Sequence, residues 1–412
     1  MNRFSTILIW GQYGFVGNQW RYMKMKNKIK KQVGISLIIA GFFLIGIQTG
    51  SAFNQDILPQ PMATAGWLYV GGGGPGNYTT IQSAINIALN GDIIYVYAGT
   101  YNENIMVDKT ITLMGEDRDV TTIIGDNLNP TVEITAESIN FQGFTVKNDG
   151  SQDGIYTATS IHTFTDNIFT STSWGIHLYY SSENTITNNL LYDNTKSGVY
   201  MEVGQNNTIS ENEFYNNTDE GIYLTGCGTS HIENNTIHNN GKGIHAFRAN
   251  GISIRNNVIE SNIYGIHFEG MITVHSNFNT ISNNRINDNT NVGLRIENSQ
   301  FNTIEFNEIQ GNGKGIQFEF TGANMIRNNN ITSSSITEIE FTFSLGDFIS
   351  NNNIDNSQQS LVLVQINFGL AVASNNWWGS TQWPIRRVRP VGGWVIVTPW
   401  KMNPIDINVG PE

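Results

Sequence analysis

The sequence predicts an all-β protein wound as a parallel β-helix of about 22–23 residues per coil, and three periodic patterns predict it. The first is a recurring phrase: Asn-Thr-Ile, a few residues, Asn-x-Ile or Asn-x-Phe, a polar turn, then Gly-Ile-x-hydrophobic. It is plainest at residues 184–201, 207–224, 279–296 and 302–318. Its anchors are Ile186, Ile209, Ile232, Ile254, Ile281, Ile304, Ile326 and Ile349, so successive anchors stand 22 or 23 residues apart, with one step of 27. A fixed period of this length marks a solenoid and leaves no room for paired helices. The second pattern is alternation. Thr-Ile-x-x-Asn-x-Ile and Gly-Ile-x-hydrophobic each alternate apolar and polar residues, as a strand with one buried face does. The third is a pair of asparagine columns, Asn189, Asn212, Asn235, Asn257, Asn284, Asn307, Asn329 and Asn352, and Asn194, Asn217, Asn240, Asn262, Asn289 and Asn312. Asparagine tolerates left-handed backbone at corners, and amides stacked coil on coil bond one another as an asparagine ladder. Gly154, Gly175, Gly198, Gly221, Gly243, Gly265, Gly293 and Gly315 mark another corner, where positive φ is expected. Ten or so coils stacked ~4.8 Å apart give a rod on the order of 50 Å long.

The chain divides in order. Residues 1–22 hold Trp10, Tyr13, Phe15 and Trp20 without periodicity and read as an over-extended start. Residues 23–52 read as a signal peptide: Lys24, Lys26, Lys28, Lys30 and Lys31, then the apolar run from Val33 to Ile47, then Gly50-Ser51-Ala52. The expected location is therefore secreted, extracellular, cell-surface or periplasmic. The run is short for a membrane span, so membrane contact is expected only if it stays uncleaved. Residues 53–77 are linker-like and end in a glycine-rich stretch. Residues 78–110 form an N-terminal cap and the first strands. Thr79 with Gln82 makes a capping box. Ile81, Ile85, Ala88 and Leu89 share one helical face, and Gly91 stops the helix. Such a helix closes the open solenoid end, whose unpaired edge would otherwise recruit other chains. Residues 111–374 carry the coils. Residues 375–412 form a second cap, dense in tryptophan (Trp377, Trp378, Trp383, Trp394, Trp400) and proline (Pro384, Pro390, Pro399, Pro404).

Composition sets outer limits. With 39% hydrophobic residues, 14% charged and a net charge of −12, the chain can build a large core. It lacks the basic surface that phosphate backbones require, so nucleic acid is excluded as a partner. Cys227 is the sole cysteine, which rules out an intrachain disulfide and fits a small corner residue.

Candidate chemistry falls on the Gly-Ile strand. With its isoleucine pointing in, the next residue points out. Stacked coils then present the row Tyr156, His177, Tyr200, Tyr223, His245, His267, Arg295, Gln317, Glu340. Beside it runs Tyr179, Glu202, Thr225, Phe247, Glu269, Glu297, Glu319, Thr342. Tyr200, Tyr223, His245, Phe247 and His267 are the expected ligand-binding residues, since rings at coil spacing suit stacking on sugars. Glu269, Glu297 and Glu319, with Arg295 beside them, are the catalytic candidates. Like charges ~5 Å apart raise one carboxyl's pKa or gather a cation such as calcium, and carboxyls about 5–5.5 Å apart suit a retaining glycosidase. The plainer alternative is a solvated face in which Arg295 offsets the glutamates. A metal alternative uses His245, His267, Met271 and His275, around the one lengthened coil, because imidazole with thioether suits Cu(I).

The opening YTTIQSAINIALNGDIIYVYAGTYNENIMV, the Asn-x-Ile coils and the closing NNWWGS and VTPW resemble secreted right-handed parallel β-helix proteins of the NosD type. These lie within the pectin-lyase-like group with carbohydrate-binding and sugar-hydrolysis repeats. The resemblance runs from about Tyr78 to Pro404 and implies a single-stranded right-handed β-helix. It also implies a role in binding polysaccharide or another surface polymer, with polysaccharide lyase or hydrolase activity, or copper handling, as alternatives. The opening and closing motifs bring no catalytic residues with them. The clustered aspartates and Gly-His-Gly of polygalacturonase-like hydrolases are absent, as are the aspartate-rich calcium site of pectate-lyase-like enzymes and the Asp-Pro-His of epimerases.

Overall fold

The computed structural model describes residues 65–355, 364–379, 388–397 and 399–407. The expected start, signal peptide and most of the linker lie outside these residues, as do Trp383 and Pro384.

The chain from Gly66 onward is a parallel β-solenoid with three strands per coil. Strands on two sides join a 25-stranded sheet, and those on the third side form a 14-stranded sheet. The Thr-Ile-x-x-Asn-x-Ile phrase, read in sequence as one strand, is two. Thr208–Ser210 and Glu213–Tyr215 belong to different sheets. The break lies at Glu211, whose φ of 58° turns the chain. The residue that takes left-handed backbone is thus the one before the ladder asparagine. Asn188, Asn234, Asn256, Asn283, Asn328 and Asn351 fill that position in other coils.

The ladder asparagines do something else. Asn235 Nδ2 donates to Asn257 Oδ1 in the next coil, to Ile209 O in the preceding coil and to Glu233 O of its own coil. Its Oδ1 accepts from both N and Nδ2 of Asn212. The column runs unbroken from Asn167 to Asn376, and its amides are buried. Each amide satisfies turn groups that would otherwise be buried unpaired. A second column runs from Asn194 to Asn312. A third, not recognised in sequence as a ladder, begins at His162 and includes Asn184, Asn207, Asn279, Asn302, Asn324 and Asp347.

The isoleucine anchors share one column. Ile209, Ile232, Ile254, Ile281 and Ile304 are strand partners in series and fully buried. The Gly-Ile glycines differ from expectation: none from Gly154 to Gly315 in that series has positive φ. They are required by close approach between coils, since a Cβ on Gly175 would stand 2.5 Å from Gly198 O.

The helix is Ile81–Ile87. Its N-cap is Thr80 rather than Thr79, and Thr80 Oγ1 accepts from Ser83 N. The remaining first-turn amides are met by Glu103, whose carboxylate accepts from Ile81 N and Gln82 N. That partner lies one coil away and was invisible to local reading. Ile81, Ala84, Ile85 and Ala88 are buried, whereas Leu89 is exposed. At the other end, the strands Thr337–Ser350, Val364–Ser374 and Val388–Val397 each run across two sides of the coil as one continuous strand, the first still turning the corner with positive φ at Phe343 and Gly346. Trp378 is buried there, and Trp400 packs against the core.

Candidate binding face

The outward row expected on the Gly-Ile strands exists in register. Tyr156, His177, Tyr200, Tyr223, His245, His267, Arg295, Gln317 and Glu340 are successive strand partners. The parallel row from Tyr179 through Glu202, Thr225, Phe247, Glu269, Glu297 and Glu319 to Thr342 is likewise in register.

The rings are turned on one another. Tyr200 and Tyr223 stack with centroids 5.1 Å apart, Tyr223 and His245 at 4.7 Å, and His245 and His267 at 5.0 Å, with interplanar angles of 19°, 12° and 7°. Trp174 covers Tyr200 from below at 4.8 Å, and Lys196 Nζ lies 3.7 Å from the Trp174 ring centroid. Coil spacing equals ring-stacking distance, so the ring faces are used within the ladder. The faces are thus not open for the sugar stacking expected from sequence, and the edge of the row is carried by tyrosine hydroxyls. His245 and His267, expected to point outward, are 6% and 7% exposed, the former with both nitrogens on Glu220 and Glu269 and the latter with both nitrogens buried. Phe247 is half-buried beside it.

Charge is organised in short chains along the axis. Glu220 takes Lys242 at 3.2 Å and His245 Nδ1 at 3.2 Å, while His245 Nε2 meets Glu269 at 3.1 Å. Arg295 lies 3.0 Å from both Glu297 and Glu319. Lys314 meets Glu340 at 2.8 Å. The expected cation between neighbouring carboxylates is thus, at Glu297 and Glu319, the guanidinium of Arg295.

The expected raised carboxyl is also absent at the two glutamates with resolved shifts. Glu269 is held below its ordinary range by its hydrogen bond with His245, and Glu297 by the facing imidazole of His267, 3.6 Å away and short of a hydrogen bond, and then by the charge of Arg295. Burial alone would raise Glu220, but His245, Ser197 and Lys242 more than offset it. His267 is pushed down by burial and stays neutral at pH 7. Neither of its ring nitrogens is hydrogen-bonded, and the nearest carboxylate oxygen, on Glu297, is 3.6 Å away.

Donor atoms of His245, His267 and Glu269 all lie within 4.8 Å of one another. Two of the four residues expected to hold metal are in this group, and Glu269 completes it. Met271 is exposed in the lengthened coil, and His275 Nδ1 lies 2.8 Å from Asn298 O. Glu269 was legible as a neighbour of the row, but its turn toward His245 was not.

Fold and face together define a right-handed parallel β-helix protein. Residues 130–278 match the family model described as right handed beta helix region, and residues 269–382 match that of the periplasmic copper-binding protein NosD. The chain thus carries both segments that its sequence motifs resemble. Of the convergent metal donors, only Glu269 lies within the NosD match. Similar solved structures include a mannuronan C-5 epimerase A-module of Azotobacter vinelandii, 15% identical, covering 79% of this chain and 96% of that one, with a TM-score of 0.53. The catalytic unit of an α-1,3-glucanase of Streptomyces thermodiastaticus is 15% identical, covering 82% and 68%, also at 0.53. DFA-IIIase of Arthrobacter chlorophenolicus is 13% identical, covering 80% and 98%, at 0.53. At these identities the likeness is one of fold. A probable pectinesterase of Arabidopsis thaliana is 34% identical over 109 residues, which is 24% of this chain and 26% of that protein. The chain therefore matches about a quarter of that curated relative's length. Among the described residues, no helix is long and apolar enough to cross a membrane.

Proposed function

We propose that this protein acts outside the cytoplasm, secreted, on the cell surface or in the periplasm, and binds a polysaccharide or similar surface polymer along its Gly-Ile face. One observation carries the reading. Polar side chains from Tyr156 to Glu340 stand in register on nine consecutive coils, giving a repeating strip parallel to the axis. A polymer laid along it meets a polar side chain every ~4.8 Å, of changing kind from coil to coil. The carbohydrate-active names among the structural neighbours agree with this. A glycosidase needs a proton-holding carboxyl, and the lowered Glu269 and Glu297 do not supply one. The test is a glycan array followed by calorimetry, with and without calcium. Retention without new reducing ends or double bonds is expected. Tyr223→Phe, which removes one phenolic edge, should weaken binding by roughly tenfold. A full array with no retained glycan would overturn the reading.

A second reading is copper binding, favoured by the convergence of His245, His267 and Glu269 and by the unpartnered nitrogens of buried His267. Two imidazoles and a carboxylate fit Cu(II) or Zn(II) better than Cu(I), which the loss of Met271 from the set disfavours. Copper titration of wild type against His267→Ala decides it: equal, weak uptake by both disposes of the idea.

A further inference from the structure

We infer that the polymer taken by the Gly-Ile face carries protonated amines and is not a polyuronate. The inference rests on the polymer-binding reading above and concerns only the charge of the ligand.

The three cations that stand within the strands of this face on the central coils are committed to carboxylates of the protein. Lys242 pairs with Glu220, Arg295 with Glu297 and Glu319, and Lys314 with Glu340. Arg248, exposed at the corner just beyond Phe247 and lying over that ring, has no carboxylate partner among the described residues, so a uronate chain would meet this one free cation against part-exposed glutamates on three consecutive coils. The carboxylates are in excess. Glu202 is met by Tyr200 OH at 3.2 Å and Glu269 by His245, both without a lysine or arginine partner. Glu297 and Glu319 share the single charge of Arg295. Glu269, Glu297 and Glu319 then repeat on consecutive coils, each part-exposed.

A separate observation points the same way. His267 is 7% exposed, and neither ring nitrogen makes a hydrogen bond. Its imidazole stands on the same strand as Glu269, with Nε2 3.6 Å from Glu297 Oε2 on the next coil. A neutral imidazole has one acceptor nitrogen and one N–H donor, and an ammonium group supplies three donors with the charge to match the neighbouring carboxylates. A sugar amine over this point meets the part-exposed carboxylates of Glu269 and Glu297 and, at most, one imidazole acceptor.

The experiment compares immobilised chitosan, a neutral glucan and polygalacturonate at pH 6 in EDTA, using the full chain. Chitosan is expected to bind tightest. Because the whole chain is acidic, a charge-matched control is essential. Glu269→Gln with Glu297→Gln should weaken chitosan binding by at least about tenfold. Glu211→Gln with Asp288→Asn, exposed on other corners, should leave it unchanged. Glu269→Gln alone repeats the test if the double variant fails to fold. Equal losses in both pairs, or polygalacturonate bound best in EDTA, overturn this inference while the polymer reading stands. Neutral glucan binding as well as chitosan, insensitive to the glutamates, does the same. Binding of none of the three also removes the support for the polymer reading itself.

Discussion

A Cβ built on Gly243 would stand 2.6 Å from the carbonyl oxygen of Gly265 in the next coil. Backbone on both sides is fixed by parallel pairing, so neither atom can yield without disturbing the stack. Gly243→Ala should therefore destabilise the protein by about 2–3 kcal/mol, the range for overpacking a filled core. Gly226→Ala is the instructive contrast. That glycine has a φ of 65° but only one neighbour atom, at 3.4 Å, so its loss should reflect backbone strain of roughly 1 kcal/mol. Urea unfolding of both variants checks the order, and Gly226→Ala losing more would refute it.

Asn235 joins three coils through five hydrogen bonds. Asn235→Ala leaves buried amides and carbonyls of the adjoining turns unpaired, at about 1–3 kcal/mol for each group not rescued by water. A loss of at least about 3 kcal/mol is expected. Asn234→Ala, one residue earlier and exposed with a φ of 57°, should lose only about 1 kcal/mol. Chemical denaturation separates the two roles that asparagine plays at this corner.

His162 occupies the first place in the third ladder. Its Nδ1 accepts from Ile139 N at 3.3 Å, and its Nε2 lies 3.2 and 3.1 Å from the hydroxyls of Thr157 and Thr159. Burial pushes its pKa from 6.5 down to about 4. Between these values the unfolded chain binds a proton that the folded chain does not. Stability is therefore full above pH 6.5 and falls as pH drops toward 4, by roughly 3 kcal/mol in all. His162→Asn keeps a ladder amide without the titration. Unfolding free energies measured from pH 7 to 4.5 should converge toward a flatter profile in the variant, and parallel profiles would exclude His162 as the cause.

The winding was legible because identical requirements recur in every coil. Ile209 and Ile304, separated by four coils, share one column simply because the period places them there. The outward rows were legible for the same reason. What was not legible depends on distances across coils. The glycine column looks the same in sequence whether it serves positive φ or close approach. The ring row looks equally suited to sugars or to itself until its spacing is known to match the stacking distance of its own rings. Glu103 capping Ile81 from 22 residues away has no local signature. Neither does the hydrogen bond that draws Glu269 to His245 from 24 residues away.

Phe306 holds a φ of 57° where the same corner elsewhere uses Asn283 and Asn328. A left-handed conformation costs a residue with a Cβ roughly 1–2 kcal/mol, and asparagine offsets part of it with local hydrogen bonds. Phe306 is 36% exposed, so the burial of the rest of the side chain is forfeited and offsets part of the strain relieved. Phe306→Asn should raise stability by about 1 kcal/mol. A lowered melting temperature would show that the ring makes a contact worth more than the strain.

Asp347 ends the third ladder with a carboxylate where Asn324, Asn302 and Asn279 carry amides. It is fully buried and accepts from Asn324 N and Nδ2 through Oδ1 and from Thr321 through Oδ2, with no lysine or arginine among these partners. Burial raises its pKa above the ordinary 3.8 in spite of these bonds. The folded chain then holds the proton more tightly than the unfolded one. Stability contributed by the neutral acid is complete below the unfolded value and is lost as pH rises through the folded one. At pH 7 the fold carries a buried carboxylate that an amide would not impose. Asp347→Asn keeps the acceptor toward Asn324 and turns a donor toward Thr321. It should therefore stabilise the protein at pH 7, with the gain shrinking as the pH is lowered toward 4. Thermal melts of both proteins across that range measure the difference, and a gain that stays constant with pH would mean the carboxylate is not the source.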